Sequence, residues 1–150
     1  MNVVATAGEK IRVAWELAWN QGDIGALDQI LAQDYVRTSL ADPKVLNRDG
    51  MKQLVADVRR GFPDLRTAIE QCIEADGSLA VLWRSQGTHL GEYYGVPPTG
   101  KTVQAAGASF FRTCDGVVVE EVETWDRRDM LAVLGIHSLR SHRAEEDQTW

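Results

Sequence analysis

The sequence changes its pattern once, near Pro63, and this change constrains the fold more than any other feature. Before Pro63, apolar residues recur at spacings of three and four, which is typical of amphipathic helices. After it, apolar stretches alternate with turn residues, which is typical of strands. A run of helices followed by a run of strands predicts an α+β domain in which N-terminal helices pack on one face of a sheet.

Three helices are predicted in the first part of the chain. Asp23 is expected to cap the second helix and Asn47 the third, because Asp and Asn side chains accept hydrogen bonds from free backbone N–H groups. Pro63 should stop the third helix. The stretch after Tyr35, which contains Pro43, is predicted to be irregular. The three predicted helices span 7–19, 23–31 and 47–61.

Four strands are predicted after Pro63. The pairs Asp76-Gly77 and Asp115-Gly116 tolerate positive φ at low cost, so each predicts a hairpin turn between antiparallel strands. The segment 91–100, rich in Gly and Pro, predicts a stiff loop of the kind that often borders a site. A long, strongly curved antiparallel sheet tends to enclose a cavity. The predicted strands span 65–74, 79–90, 101–113 and 117–125, and a last helix spans 127–134.

Composition restricts the partners that this chain can have. With 22 acidic residues against 16 Lys and Arg, the net charge is -6, and no local basic cluster compensates, so nucleic acid and anionic membranes are not expected as partners. The N-terminus lacks the features of a signal peptide and no apolar run approaches ~20 residues, so a cytoplasmic location is expected. The length predicts one domain, with a core at 7–136 and a polar tail at 137–150.

The two cysteines, Cys72 and Cys114, are far apart and lack the spacing of metal ligands. The sequence therefore predicts neither a zinc site nor a disulfide framework.

Several short motifs occur in a fixed order along the chain. They are Phe62-Pro63-Asp64-Leu65, Gly87-Thr88-His89-Leu90-Gly91-Glu92, Gly95-Val96-Pro97-Pro98-Thr99-Gly100-Lys101, Phe111-Arg112, Asp115-Gly116, and Trp125-Asp126 before Leu134-Gly135. Together they resemble the SnoaL-like polyketide cyclase family, a branch of the nuclear-transport-factor-like cone fold, over about 7–136. Two positions depart from the family pattern: Arg37-Thr38 stands where many members carry a histidine, and Val122 where a tryptophan is common.

This resemblance implies a cone-shaped barrel with an internal apolar pocket, no metal and no organic cofactor. It also implies a homo-oligomer, either a dimer or a tetramer. In the characterised cyclases an aspartate acts as general acid and base for an intramolecular aldol ring closure on an aromatic polyketide ester. The position that looks like this aspartate is Asp126.

Asp126 is accordingly the first candidate catalytic residue. Enolisation needs a base near the carbon acid, and burial in an apolar pocket raises the pKa of a carboxyl group toward the working range. Asp126 follows Val122 and Thr124 on one side of the last predicted strand, so its carboxylate is expected to share a face with apolar residues. The alternative is that Asp126 caps the final helix.

His89 and Arg84 are the other candidate catalytic residues. His89 could donate to a developing oxyanion or shuttle a proton, or it could anchor the loop that follows it. A buried Arg84 would require a carboxylate partner such as Asp126 or Glu120, and such a pair would suit water activation. The alternative is an exposed arginine. Of the acidic stretch Glu120, Glu121 and Glu123, not all can converge on a metal ion, because successive residues of a strand face opposite sides.

Aromatic side chains are candidate walls of a pocket for an apolar or aromatic small molecule, because they stack well on planar ligands. As a group they support a pocket, although any one of them could simply belong to the core. The candidate substrate-binding residues are Trp15, Trp19, Tyr35, Trp83, Tyr94, Phe110 and Trp125.

Three functions are consistent with the sequence. The first is a cofactor-independent acid–base enzyme, a cyclase or isomerase of a polyketide-like molecule. The second is a cofactor-free hydroxylase or an epoxide-opening enzyme. The third is a binding or dimerisation module; an exposed Asp126 and a pocket filled by Trp15, Trp83 and Trp125 would favour it.

Overall fold

Helices cover one face of a six-stranded mixed sheet in the computed structural model, which describes residues 4–136. The predicted tail at 137–150 lies outside the described residues. The helices are α1 (Ala7–Trp15), continued by a π-helical segment (Glu16–Asn20), a 3₁₀ turn (Ile24–Ala26), α2 (Leu27–Ile30), α3 (Arg48–Gly61) and α4 (Arg128–Val133). The strands are β1 (Leu31–Ser39), β2 (Asp42–Leu46), β3 (Arg66–Ala75), β4 (Ser78–Thr88), β5 (Thr102–Cys114) and β6 (Val117–Trp125).

The strand order is β2-β1-β6-β5-β4-β3, with every pair antiparallel except β1 and β6, which run parallel. The predicted α+β class with a mostly antiparallel sheet is confirmed. β3 to β6 form the predicted meander, and both of its Asp-Gly hairpin turns have positive φ at each residue. In the described residues the sheet is not closed, and β2 and β3 are its edges.

The prediction of an irregular stretch after Tyr35 is wrong, because β1 and β2 occupy it. The inner face of β1 carries Tyr35, Arg37 and Ser39 after Leu31, so apolar and polar residues do not alternate there as they do in an ordinary half-buried strand. The missing alternation concealed the strand. It also indicates that this part of the interior is polar.

The helix boundaries are close to those predicted. Asn47 caps α3 as expected, with its Oδ1 accepting a hydrogen bond from Gly50 N at 2.8 Å. Asp23 makes no side-chain cap bond within the described part of the chain, and the second helix ends one residue early, at Ile30. The last four residues of the first predicted helix are π-helical, and the π-helical segment continues through Asn20.

Gly107 on β5 leaves room for two tryptophan side chains of the neighbouring strands, Trp83 on β4 and Trp125 on β6. A Cβ at this position would lie 2.5 Å from Thr124 O, 2.5 Å from the Trp83 ring and 2.6 Å from Trp125 Cβ. Gly107 also stands directly opposite Trp83 on β4 and Trp125 on β6. The absence of a side chain therefore fixes where both indoles lie.

Gly107→Ala should lower the free energy of unfolding by about 1 to 3 kcal/mol, because the added methyl group overpacks the core. Urea denaturation measures this loss. Gly25→Ala is the matched control, since a Cβ there would meet only Asp23 Oδ1, at 3.4 Å. Equal stabilities of the two variants would contradict the close approach at Gly107.

Candidate active site

Two glutamates of β6 are buried on the inner face of the sheet. Glu121 and Glu123 are each only 3% exposed. On the neighbouring strand β1, Arg37 is in register with Glu121 and Ser39 with Glu123. On the other side of β6, Ser109 of β5 stands opposite Glu123. Alternate residues of a strand share a face, so these side chains converge. Together with Tyr35 of β1 they form what we call the buried carboxylate cluster.

Arg37 lies between the two carboxylates. Its Nη2 is 3.1 Å from Glu123 Oε2, and its Nε is 3.7 Å from Glu121 Oε2. The Tyr35 hydroxyl donates a hydrogen bond of 2.6 Å to Glu121 Oε1. Two like charges in one buried site repel each other, and the guanidinium offsets that repulsion. Arg37 is therefore the group that allows Glu121 and Glu123 to share the interior.

The two ionisable groups with shifted pKa values in this cluster differ in role. Burial raises the pKa of Glu123 above the ordinary 4.5, and Arg37 opposes the shift in part. Burial and the nearby Glu121 carboxylate raise the pKa of Tyr35, so its hydroxyl remains a donor. Glu123 consequently holds a proton more readily than an exposed glutamate, which is what a general acid or base needs.

Several buried polar atoms of the cluster and its surroundings have no hydrogen-bond partner within residues 4–136. They are Ser109 Oγ, Trp83 Nε1, Arg37 Nε and Glu123 Oε2. Glu123 Oε2 is within ion-pair distance of Arg37, but the angles are not those of a hydrogen bond. A buried polar group without a partner costs about 1–3 kcal/mol. Such groups in one place are typical of a binding or catalytic site.

A row of tryptophans borders the cluster. Trp125, two residues after Glu123 on the same strand, has its ring centroid 6.4 Å from that of Trp83, and Trp83 lies 6.4 Å from Trp15 on α1. The Arg127 guanidinium stands over the Trp125 ring at 5.4 Å. These rings give the charged cluster an aromatic wall.

Asp126 lies away from this cluster. Its side chain is 52% exposed, and its Oδ1 accepts hydrogen bonds of 3.0 Å from Arg128 N and Nε. These contacts with Arg128 lower its pKa to about 2. The expectation of an apolar environment with a raised pKa is wrong, because the side of β6 that carries Val122 and Thr124 is the outer side. Asp126 stands one residue before Arg127, the N-cap of α4, and accepts from Arg128 N, so it lies next to the capping position that was its alternative role. Catalysis by Asp126 stays an untested prediction.

His89 is fully buried and holds the loop after β4. Its Nδ1 is 3.0 Å from Thr99 Oγ1 and accepts from Thr99 N at 3.3 Å, while its ring stacks on Phe62 at 5.4 Å. Its backbone N–H donates to Lys101 O, and its carbonyl accepts from Gly100 N. These contacts fit the predicted anchoring role. No contact with the buried carboxylate cluster accompanies them in the described residues.

Arg84 lies on the outer face of β4, with its side chain 67% exposed and its Nε 2.7 Å from Glu70 Oε1. The predicted partners are engaged elsewhere, since Glu120 pairs with Arg112 at 2.8 Å and Asp126 with Arg128. The exposed arginine is thus the alternative that the structure supports.

The candidate wall residues divide into two groups. Trp15, Tyr35, Trp83 and Trp125 belong to or pack against the main core, with Trp19 beside Trp15 at 6.1 Å. Tyr94 in the loop and Phe110 on the outer face of β5 are exposed. The structure does not bring these last two to the cluster.

Sequence reasoning missed Arg37 and Ser109 as site residues, and it considered Glu121 and Glu123 only for a metal site. The available signal was the acidic stretch on β6. Because successive side chains of a strand point to opposite faces, Glu121 and Glu123 share one face and Glu120 lies on the other. Arg37 was visible only as a departure from the family pattern. In residues 4–136, no three His, Cys, Asp or Glu side chains are grouped so that they could hold a metal ion.

The fold and this inner-face site define an α+β cone protein with a buried carboxylate cluster. The model of the family described as SnoaL-like polyketide cyclase matches residues 9–134, so the chain belongs to this family. No curated protein sequence matches the chain.

Three solved structures illustrate the similarity. AclR from Streptomyces galilaeus, for which a hydroxylase activity is proposed, and IdmH from Streptomyces antibioticus, for which a polyketide cyclase activity is proposed, are each 27% identical with a TM-score of 0.74. They match 87% of this chain and 98% and 99% of their own lengths. A proposed polyketide cyclase from Acidithiobacillus ferrooxidans, 24% identical, matches 92% of this chain and 100% of its own, with a TM-score of 0.76.

The raised pKa of Glu123 makes stability depend on pH. Between the unfolded value near 4.5 and the raised folded value, the folded protein binds more protons than the unfolded chain. The contribution of Glu123 is therefore fully present below that window and is lost as pH rises through it. We expect the unfolding free energy of the wild type to fall relative to Glu123→Gln as pH rises from about 4 to about 7.

Urea denaturation at a series of pH values measures this difference. Glu120→Gln is the control, because Glu120 is on the outer face and its side chain is 45% exposed. A difference between the wild type and Glu123→Gln that does not change with pH would contradict the raised pKa.

Proposed function

We propose that this chain is a cofactor-independent acid–base enzyme, a cyclase or isomerase of a polyketide-like small molecule, and that Glu123 is its catalytic acid and base. The observation that carries the proposal is the burial of Glu123, with a raised pKa, beside donors that have no partner in the described residues. Membership in the SnoaL-like family supports the reaction class. That the substrate is polyketide-like and that the product contains a newly closed ring are parts of this proposal.

The reaction requires one group that accepts a proton and one hydrogen-bond donor that stabilises the oxyanion. The Glu123 carboxylate takes a proton from the carbon next to a substrate carbonyl, and the enolate oxygen accepts hydrogen bonds from Ser109 Oγ or Trp83 Nε1. The enolate carbon attacks a second carbonyl carbon, forming the new C–C bond. The resulting alkoxide receives the proton that Glu123 had taken, so the ring closure is an isomerisation without a net loss of atoms.

Tyr35, Arg37 and Glu121 act as positioning residues in this mechanism. Arg37 contacts both carboxylates, so it holds Glu123 in place and moderates its pKa. The hydrogen bond from Tyr35 keeps one oxygen of Glu121 engaged. Glu123 is then the carboxyl group left to exchange its proton with a substrate.

Two alternatives to cyclisation or isomerisation, hydroxylation and epoxide opening, each have a specific observation in their favour. The similarity to AclR favours a cofactor-free hydroxylase, and the Arg37–Glu123 pair would also suit orientation of water for epoxide opening. Labelled oxygen distinguishes them: incorporation from dioxygen indicates hydroxylation, and incorporation from solvent indicates epoxide opening. Incorporation of neither leaves cyclisation or isomerisation.

A binding module is the third candidate. Asp126 is exposed, and Trp15, Trp83 and Trp125 pack on one another, which is the arrangement that favours a module without catalysis. The buried carboxylate cluster argues against it, because a scaffold has no need of two buried carboxylates with a raised pKa at one of them.

Glu123→Gln should lower the rate of carbon-acid exchange by roughly 100-fold to 10,000-fold, because the amide cannot accept the proton. The measurement is deuterium incorporation next to the carbonyl of 2-tetralone in D₂O, followed by NMR. Asp126→Asn is the matched control and should retain the wild-type rate. Loss of exchange in Asp126→Asn, with full exchange in Glu123→Gln, would instead establish Asp126 as the base.

We also propose that the chain forms a homo-oligomer through the outer face of the sheet. Ile73 on β3, Ala80 on β4, Phe110 on β5 and Val122 on β6 are adjacent in register, and Ile73 and Phe110 are more than half exposed. A contiguous exposed apolar row of this kind is typical of a protein–protein contact. A second copy of the chain is the occupant that the family resemblance favours.

Phe110→Asp should convert the oligomer into monomers, because a carboxylate in the centre of an apolar interface is left without a partner. Light scattering after size-exclusion chromatography gives the mass. Leu40→Asp makes the same change at another exposed apolar residue, outside this row, and should leave the mass unaltered. A monomeric wild type would contradict the proposal.

Within residues 4–136, none of the helices has the length and apolar character needed to cross a membrane. The cytoplasmic location, the apolar or aromatic substrate and the exclusion of nucleic acid and membrane partners stay predictions from the sequence.

A further inference from the structure

Arg127, which follows the exposed Asp126, places its guanidinium group against the last tryptophan of the aromatic row. Trp125 follows Glu123 by two residues on the inner face of β6, and the guanidinium carbon of Arg127 lies 5.4 Å from the centroid of the Trp125 ring. Burial raises the pKa of Glu123, and the positive charge of Arg127 is among the groups that oppose this rise. Arg127 is therefore a neighbour of the buried carboxylate cluster. None of the roles assigned above uses this arginine.

The buried carboxylate cluster becomes more accessible in the direction of Arg127. The side chains of Glu121 and Glu123 are 5% and 3% exposed, that of Arg37 is 13% exposed, and that of Arg127 is 26% exposed. Exposure to solvent therefore increases from the two glutamates, through Arg37, to Arg127.

The donors of Arg127 are incompletely used. Its Nε is buried and has no hydrogen-bond partner within residues 4–136. Its Nη2 is 3.9 Å from Asp42 Oδ2, which is an ion-pair contact too long for a hydrogen bond. A buried donor without a partner costs about 1–3 kcal/mol. Such a donor beside a candidate catalytic group is typical of a residue that binds a ligand oxygen.

Proton removal by Glu123 creates a need for a positive charge that Arg127 meets. When Glu123 takes the proton of the substrate, one negative charge leaves the carboxylate and appears on a substrate oxygen. Arg37 remains beside Glu121, with its Nε 3.7 Å from Glu121 Oε2. Arg127 has only its long contact with Asp42 in the part of the chain that the structure describes. It is thus the cation that is left to face the charge on the substrate.

We propose that Arg127 is a second catalytic residue, which donates a hydrogen bond to the carbonyl oxygen that the enolate attacks. Ser109 or Trp83 holds the enolate oxygen, and Arg127 holds the oxygen that becomes the alkoxide. Arg127 keeps its own protons, and the alkoxide takes the proton that Glu123 had removed, so no atom is gained or lost. This inference rests on the proposed function, because it takes Glu123 as the base.

One probe, 2,6-heptanedione in D₂O, reports both steps of the reaction by NMR. Deuterium incorporation next to a carbonyl measures proton removal, and the appearance of the cyclic hydroxyketone measures formation of the C–C bond. Both rates are corrected for the reaction without enzyme and compared at their pH optima, because loss of the charge of Arg127 also moves the pKa of Glu123 upward.

Arg127→Gln should lower the ratio of cyclisation to exchange by roughly 100-fold, as loss of one oxyanion donor does, and leave exchange within about threefold of the wild type. Arg60→Gln is the matched control, since Arg60 is exposed on α3 and pairs with Asp57 at 3.0 Å. It should keep the wild-type ratio.

An unchanged ratio in Arg127→Gln would overturn the proposal. Equal losses of both reactions would do so too, because they indicate a structural role for Arg127. A wild type that exchanges deuterium without closing the ring, or an equal fall of the ratio in Arg60→Gln, also contradicts it. Failure of the proposed function has a different result: Glu123→Gln then exchanges deuterium at the wild-type rate, whatever the ratio in Arg127→Gln.

Discussion

The contact of Arg37 with two buried carboxylates is the interaction on which the rest of the site depends. Removing a carboxylate from water costs several kcal/mol unless it is paired, and Glu121 and Glu123 are both on the inner face of β6. The parallel pairing of β1 with β6 brings Arg37 into register with Glu121, and its guanidinium also reaches Glu123. The one parallel pair of the described sheet therefore makes a doubly acidic interior possible.

Packing around this cluster follows from small and aromatic residues in facing positions. Gly107 leaves room for Trp83 and Trp125, and their indoles separate the charged cluster from α1. A rigid frame of this kind keeps a buried carboxyl group at a raised pKa without letting the structure relax around it.

The sequence was sufficient for the meander β3–β6 and for α1 and α3, because apolar periodicity and Asp-Gly turns report those elements directly. The sequence did not predict β1, because the inner face of this strand carries polar residues of the site and a pattern of apolar residues does not reveal such a strand. The same limit explains Asp126. Its position relative to Val122 was right, but the side of β6 that faces inward is decided by pairing with β1 and β5, which a local pattern does not reveal. Tyr35 and the inner tryptophans were predicted correctly as interior residues, because large aromatic side chains are usually buried whether they line a pocket or fill the core.

The most direct test of this account is the titration of the Glu123 carboxyl group by ¹³C NMR, with Glu123→Gln used to assign the signal. The account predicts a pKa above the ordinary 4.5, and a further rise when Arg37→Gln removes the neighbouring positive charge. A Glu123 that titrates at or below 4.5 would contradict the buried acid–base role on which the proposed function rests.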